Sequence, residues 1–162
     1  MMNNVSICIA TELDLSFVLD LQKKFTDEIG FIPLKKTAHS IFNNKVILGD
    51  LNNDEAGFLM FEPSLSCQPT TAIVVQAAVH MDAQRNSVGL NLLDQVSFQM
   101  ACIGRRILQA SCSEQLEANA FWKSAGFTAV AKRQGGNRRG NSIIIWRKKL
   151  LPDAVLTDLE YS

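Results

Sequence analysis

The stretch Ala77-Ala78-Val79-His80-Met81-Asp82-Ala83-Gln84-Arg85-Asn86-Ser87-Val88-Gly89-Leu90 leaves an apolar run, turns, and enters an amphipathic segment whose first turn is small or polar. A helix start exposes unpaired backbone N–H groups and the positive end of the helix dipole. Consecutive amides at residues 86–89 can therefore cradle a pyrophosphate. The spacing is not a Walker loop, because no Gly-Lys-Ser/Thr follows, nor a dinucleotide G-x-G-x-x-G turn. The competing reading is a polar helix cap that binds nothing.

Other side chains could share the work. His80 could serve as a general base, as an imidazole can near neutral pH, or it caps a turn at the end of a buried strand. Cys112 ends another strand and could relay a proton or be acylated, or it is a small buried hydrophobe. Gln76 is polar within an apolar run, so it orients a substrate or satisfies a core neighbour. Gly30-Phe31-Ile32-Pro33-Leu34 is unusually apolar for a loop, either stapling onto the core or walling a site. Between Lys132 and Lys149 there are seven basic residues and no acidic one. Such a run is a solvated hairpin or, at Arg138-Arg139, a clamp for an anion. Four cysteines without a C-x-x-C pair, and only His39 and His80 as imidazoles, argue against a zinc site.

These residues need a scaffold, and the periodicities predict one. Residues 5–9 read as a strand, and Thr11 with Asp14 forms a capping-box-like helix start. Leu13, Phe17, Val18, Leu21 and Phe25 then mark a helix to about Lys24, and Ala38, Ile41 and Phe42 share a face of a second, over 35–43. Strands follow at 45–48 and 56–61, joined by a turn-rich Asp50-Leu51-Asn52-Asn53-Asp54. Residues 70–80 read as a central strand buried on both faces. Val88, Leu92, Val96, Met100 and Ile103 mark a helix that Gly104 ends. A strand at 106–112, a helix at 115–124 and a long-looped hairpin of strands at 127–132 and 142–146 complete the chain. The order is that of an α/β sandwich around a mixed sheet.

The 162 residues fit one domain, expected over 1–150, with an acidic, loose tail at 151–162. Sixteen basic and sixteen acidic side chains cancel, which argues against a whole-molecule nucleic-acid or membrane field. No stretch approaches a membrane span, and the start lacks signal-peptide character. The expectation is a cytoplasmic protein with free, buried thiols. An exposed last strand would suit pairing into a homodimer.

The sequence resembles the GNAT family of N-acetyltransferases. Gln84-Arg85-Asn86-Ser87-Val88-Gly89 is similar to the family's Q/R-x-x-G-x-G/A loop, departing at Ser87. Ala78-Val79-His80-Met81-Asp82 resembles its A-V-H-P-D, and Ala118-Asn119-Ala120-Phe121-Trp122-Lys123-Ser124-Ala125-Gly126-Phe127 resembles its A-x-x-F-Y-x-x-x-G-F. The resemblance covers residues 5–149. It implies a mixed, mostly antiparallel sheet flanked by helices, with strands splayed at a coenzyme cleft. It also implies acetyl-CoA as cofactor, held by Ala78, Val79 and residues 84–89, with Asn119 and Trp122 on the other side of the pantetheine arm. The thioester oxygen would meet a backbone amide near Val79. Phe31, Ile32, Leu34, Arg138 and Arg139 would border the acceptor, favouring an amine that also carries an anionic group.

Two departures carry consequences. Ser87 fits if its φ is negative, its hydroxyl then capping the helix or touching phosphate. Trp122 stands where a tyrosine often serves as general acid, and an indole N–H cannot ionise for that work. Packing next to Phe121 is its favoured reading, with shielding of the coenzyme's sulfur as a variant. The leading expectation is direct acetyl transfer to an amine of a small molecule or protein, with the catalytic residues open among His80, Cys112 and Gln76. The alternatives are a CoA-binding module without turnover, or a nucleic-acid-directed protein using the basic hairpin.

Overall fold

The computed structural model describes residues 3–134 and 141–156. Seven strands form one sheet in the order β1-β2-β3-β4-β5-β7-β6. These are β1 (Val5–Ile9), β2 (Val46–Leu51), β3 (Asp54–Glu62), β4 (Thr71–Val79), β5 (Ile107–Ser113), β6 (Thr128–Arg133) and β7 (Ile143–Lys149). The helices are α1 (Leu15–Lys24), α2 (Thr26–Ile29), α3 (Leu34–Phe42), α4 (Val88–Cys102) and α5 (Ala118–Ser124). β4 and β5 pair in parallel through Thr71–Ile73 and Ile107–Gln109, while β1–β2, β2–β3, β5–β7 and β6–β7 are antiparallel. The expected mixed, mostly antiparallel sheet flanked by helices is the observed fold. Contacts divide the chain into two compact units, residues up to Phe61 with Val75–Val96, and Glu62–Val74 with residues from Ser97 onward.

In the first unit Thr11 and Asp14 form the reciprocal cap, but over a 3-10 turn (Glu12–Asp14) that precedes α1. That turn leaves Leu13 89% exposed, outside the predicted apolar stripe. α1 buries Val18 and Leu21, and α3 buries Ile41, against Val46 and Leu48 of β2, Phe58 and Met60 of β3, and Ala78 of β4. Each of the larger side chains, fully buried, contributes about 1.5–3 kcal/mol. Phe42 does not share that face; it is 84% exposed at the end of α3. An added helical turn, α2, fills part of the connection that the sequence left open.

The β2–β3 turn is tighter than expected. Leu51 pairs with Asp54, so only Asn52 and Asn53 lie between the strands, with φ of 53° and 72°. Positive φ at both central residues is the two-residue hairpin geometry, and asparagine tolerates it. On the sheet face opposite α1, a Cβ on Gly49 would lie 2.8 Å from Val88 Cγ1, so α4 packs where a side chain is missing. β4 alternates buried and half-buried residues instead of being closed on both faces.

In the second unit α4 buries Met100, but Ile103 lies beyond its end and is half exposed. Gly104, with φ 83°, follows as expected of a helix stop. β7 is paired on both sides, by β5 and β6, so the last strand is not an exposed edge and the dimer argument built on it falls. Nor is the basic run uniformly solvated. Arg147 is fully buried, donating to Gln109 Oε1 at 2.9 Å, to Gln68 Oε1 and to the Leu156 carbonyl at 3.2 Å. The described part of the tail is held as well, through buried Ala154 and an Asp153–Arg106 ion pair. Arg138, Arg139 and the rest of the tail lie outside the described residues. Of the free thiols only Cys112 is buried, and Cys8, Cys67 and Cys102 are exposed. No described helix is long and apolar enough to cross a membrane.

Gly57 is the tightest point of the first unit. A Cβ there would lie 2.7 Å from the Ala78 carbonyl oxygen and 3.1 Å from Val79 Cγ2. Gly57→Ala should therefore destabilise the fold by about 1–3 kcal/mol, the usual cost of overpacking. Urea denaturation checks this, the expected signature being a lower midpoint at unchanged slope.

Candidate functional site

β4 positions the site through its backbone. The His80 N–H donates to Ala56 O at 2.6 Å, and the Ala78 carbonyl also faces β3 at Gly57. Successive residues of a strand turn their N–H and C=O to opposite edges, so the N–H and C=O of Val79 are directed away from β3. Gln84 Nε2 donates to that Val79 carbonyl at 3.1 Å. One side chain of the loop thus holds the carbonyl of the Val79–His80 peptide, whose N–H is bonded to β3.

After Val79 the chain makes a 3-10 turn (Met81–Ala83) capped by His80, whose Nδ1 accepts from the Asp82 N–H at 3.3 Å. Arg85 and Ser87 then take left-handed conformations, φ 69° and 67°, before α4 begins at Val88. The expectation of a negative φ at Ser87 is therefore wrong: the serine adopts the backbone that glycine adopts freely. Asparagines stabilise the turn. Asn86 Nδ2 donates to the carbonyls of Ala83 (3.3 Å) and Gln84 (3.2 Å), and its Oδ1 accepts from Asn3. Asn91 donates to Ser87 O from its backbone at 3.0 Å and from its side chain at 2.7 Å. Asn3, Asn4, Val5, Arg85, Asn86, Ser87 and Asn91 line a polar pocket of about 470 Å³ beside the loop.

The face of β4 that carries Ala78 also carries Gln76 and His80. Gln76 is buried, accepting from Gln22 Nε2 at 2.8 Å and donating to the carbonyls of Ile29 (3.3 Å) and Gly30 (3.1 Å). Gln22 also donates to Thr37 at 3.0 Å. Both ends of the Gln76 amide are thus occupied by protein. The loop it grips buries part of Ile32 in the core while Phe31 and Leu34 stand 79% and 56% exposed. His80 Nε2 lies 3.4 Å from Lys24 Nζ at the end of α1.

In the second unit Cys112 is a thiol, not a thiolate, because burial pushes its pKa up to about 11. Trp122 is wedged edge-on between Phe121 and Phe127, with centroids 5.4 and 5.1 Å away. The Asn119 amide donates to the carbonyls of Ser113 (2.8 Å), Glu114 (3.1 Å) and Leu116 (2.9 Å), and its oxygen accepts from Trp146 Nε1 at 2.9 Å. These bonds fasten the start of α5 to the end of β5 and to β7. Among the described residues no cluster of three or more His, Cys, Asp or Glu is placed to hold a metal.

Sequence reading missed Asn3, Asn91, Gln22, Thr37 and Lys24. Only Asn91 carries a local signal, four residues after Ser87 on the first turn of a helix. The others are joined to the site across the fold.

No protein-family model and no curated protein matches the chain. Solved structures do. Ard1 from Thermoplasma volcanium aligns with a TM-score of 0.79 at 16% identity, over 91% of this chain and 98% of that one. yncA from Salmonella typhimurium, in a structure with its cofactor acetyl-CoA, gives 0.78 at 18% identity over 96% and 99%. An acetyltransferase of the GNAT family from Streptococcus pneumoniae gives 0.72 at 16% identity over 90% and 99%. The fold of this chain is the fold of the GNAT acetyltransferases.

Two outcomes test this geometry. Ser87→Gly should stabilise the protein by up to about 1 kcal/mol, since a left-handed L-residue costs about 1–2 kcal/mol and glycine returns part of that as unfolded-chain entropy. Urea midpoints measure it; a destabilised variant would remove the strain argument. At pH 8 a pKa of about 11 leaves roughly one Cys112 in 10³ as thiolate. Mass mapping during iodoacetamide treatment should therefore show Cys67 and Cys102 alkylated well before Cys112.

Proposed function

We propose that the chain is an acetyl-CoA-dependent N-acetyltransferase that transfers its acetyl group directly to an amine. The observation that carries this reading is the hand-over from β4 to α4. A strand-edge amide at Val79, a carbonyl pinned by Gln84, and the left-handed pair Arg85 and Ser87 lead straight into a fifteen-residue helix. Left-handed residues alternating along a turn point backbone N–H groups inward, which suits a phosphate. The open polar pocket beside Arg85 and Asn86 leaves room for an anion there. The residues present fit the coenzyme on these grounds.

Bound acetyl-CoA would supply an activated acyl carbon in its thioester. The chain's own residues would do the rest. Amides at 86–89 bind the pyrophosphate, with Arg85 adding charge. The Val79 N–H receives the thioester oxygen as negative charge develops on it. Phe31 and Leu34, held out by the Gln76 grip on the loop backbone, present an apolar wall to the acceptor. His80 is the base best suited to take the amine's proton, because Gln76 cannot ionise and the Cys112 thiol is fully protonated at neutral pH. Trp122 packs between Phe121 and Phe127 and has no proton to transfer. That same residue favours the second reading, coenzyme binding without turnover, because no ionisable side chain stands in its place. Mass analysis of an amine panel incubated with the protein and acetyl-CoA separates the two.

The coenzyme loop is testable without an acceptor. Gly89→Glu adds bulk and a negative charge where phosphates approach, and like-charge juxtaposition costs several kcal/mol. Calorimetric titration with coenzyme A should show affinity lower by roughly tenfold or more. Unchanged affinity in a folded variant would remove the loop from the site.

A further inference from the structure

Lys24 is the last residue of α1, and its ammonium nitrogen lies 3.4 Å from His80 Nε2. The contact joins positions 56 residues apart, and it meets the residue immediately after Val79. The other ring nitrogen faces Asp82, accepting its N–H at 3.3 Å with the carboxylate 3.7 Å away. Both nitrogens of one neutral imidazole cannot accept at once. With the ring proton on Nδ1, toward the Asp82 carboxylate, Nε2 accepts from the lysine ammonium. With Nδ1 accepting from the Asp82 amide, the proton sits on Nε2 and the lysine presents a lone pair to it. A proton relay from Lys24 through the ring toward Asp82, which is exposed to water, would connect these two states.

We propose that Lys24 is a built-in acceptor, an amine deprotonated by His80 and acetylated by the protein's own coenzyme; this rests on the acetyl-CoA reading above. Lys24 Nζ gives one proton to His80 Nε2, which passes a proton from Nδ1 to Asp82 or solvent. The freed lone pair forms the N–C bond to the acyl carbon as the C–S bond breaks. The second nitrogen proton goes to the departing sulfur, so the products are Nε-acetyllysine, coenzyme A and one released proton. Acetylation removes the positive charge beside His80 and leaves a neutral amide there. An imidazole so relieved would be open to a free amine, which makes the modification a means of priming the site.

The experiment incubates the full chain with acetyl-CoA and maps lysine acetylation by peptide mass spectrometry, with Lys23, Lys35 and Lys36 as internal controls. Lys24 should be acetylated at least roughly tenfold faster than Lys23, a modest demand given the 10²–10⁴-fold usual for a general base. The rate constant should not depend on protein concentration, and His80→Gln should bring Lys24 down to the level of Lys23. A second measurement omits the coenzyme: trace labelling with acetic anhydride should find Lys24 more nucleophilic than Lys23 in the native chain and not in His80→Gln. Equal labelling of Lys24 and Lys23 in both measurements, in a protein that binds coenzyme A by calorimetry, overturns the proposal and leaves the coenzyme reading standing. Absence of coenzyme binding overturns that reading, and this proposal with it.

Discussion

The close approach of β3 to β4 at Gly57 is the constraint from which the site follows. With the Ala78 oxygen 2.7 Å from the place a Cβ would take, any side chain at that residue would force the paired strands to shift. Pairing there commits Ala78 and His80 to β3, and the alternation of residues then leaves the N–H and C=O of Val79 facing the other edge. Everything chemically useful in the first unit is measured from this point. Val79 presents its amide at the edge, His80 falls on the α1 face, and the chain has only four residues to reach the turn at Gln84. A slip of one residue would exchange both edges and both faces together.

The α1 face of that strand end is organised by a polar cluster inside an apolar layer. Gln22 donates to both Thr37 and Gln76, and Gln76 donates to the carbonyls of Ile29 and Gly30. A buried amide left without partners costs about 1–3 kcal/mol, so the cluster is stable only when the loop returns to it in one conformation. The cluster thus explains a loop that exposes Phe31 and Leu34 without collapsing onto the core. Its grip is on backbone oxygens, which leaves those two side chains free to differ without loosening the loop.

Legibility in the sequence followed the range of the interaction. The capping box at Thr11 and Asp14, the α4 stripe of Val88, Leu92, Val96 and Met100, and the glycine stop at Gly104 are all local, and the structure has them. The seven strands were legible to within a few residues. The failures arise where a neighbour outside the window decides. Leu13 and Phe42 continue a helical period, but a 3-10 turn and a helix end swing them into solvent. Asn52-Asn53 looked like part of a long turn because β-pairing to Asp54 is not visible locally. Arg147 looked solvated because its partner Gln68 is 79 positions away. In the site, the turn and helix start could be read from residue types, whereas the Lys24–His80 contact could not.

Ser87 shows how a departure from a motif can be absorbed. Arg85 and Ser87 each hold a backbone that costs an L-residue about 1–2 kcal/mol, and such strain persists only where the surroundings over-determine it. The surroundings here are asparagines. Asn86 ties the turn back to Ala83 and Gln84, Asn3 reaches across from the start of the chain, and Asn91 bonds Ser87 from below. At about 0.5–1.5 kcal/mol net for each hydrogen bond, these bonds are of the same size as the strain they oppose. A glycine at 87 would meet the geometry without them but would leave the turn freer in the unbound protein. Serine with its asparagine frame holds the amides in place before any anion arrives, so less ordering remains for the ligand to impose.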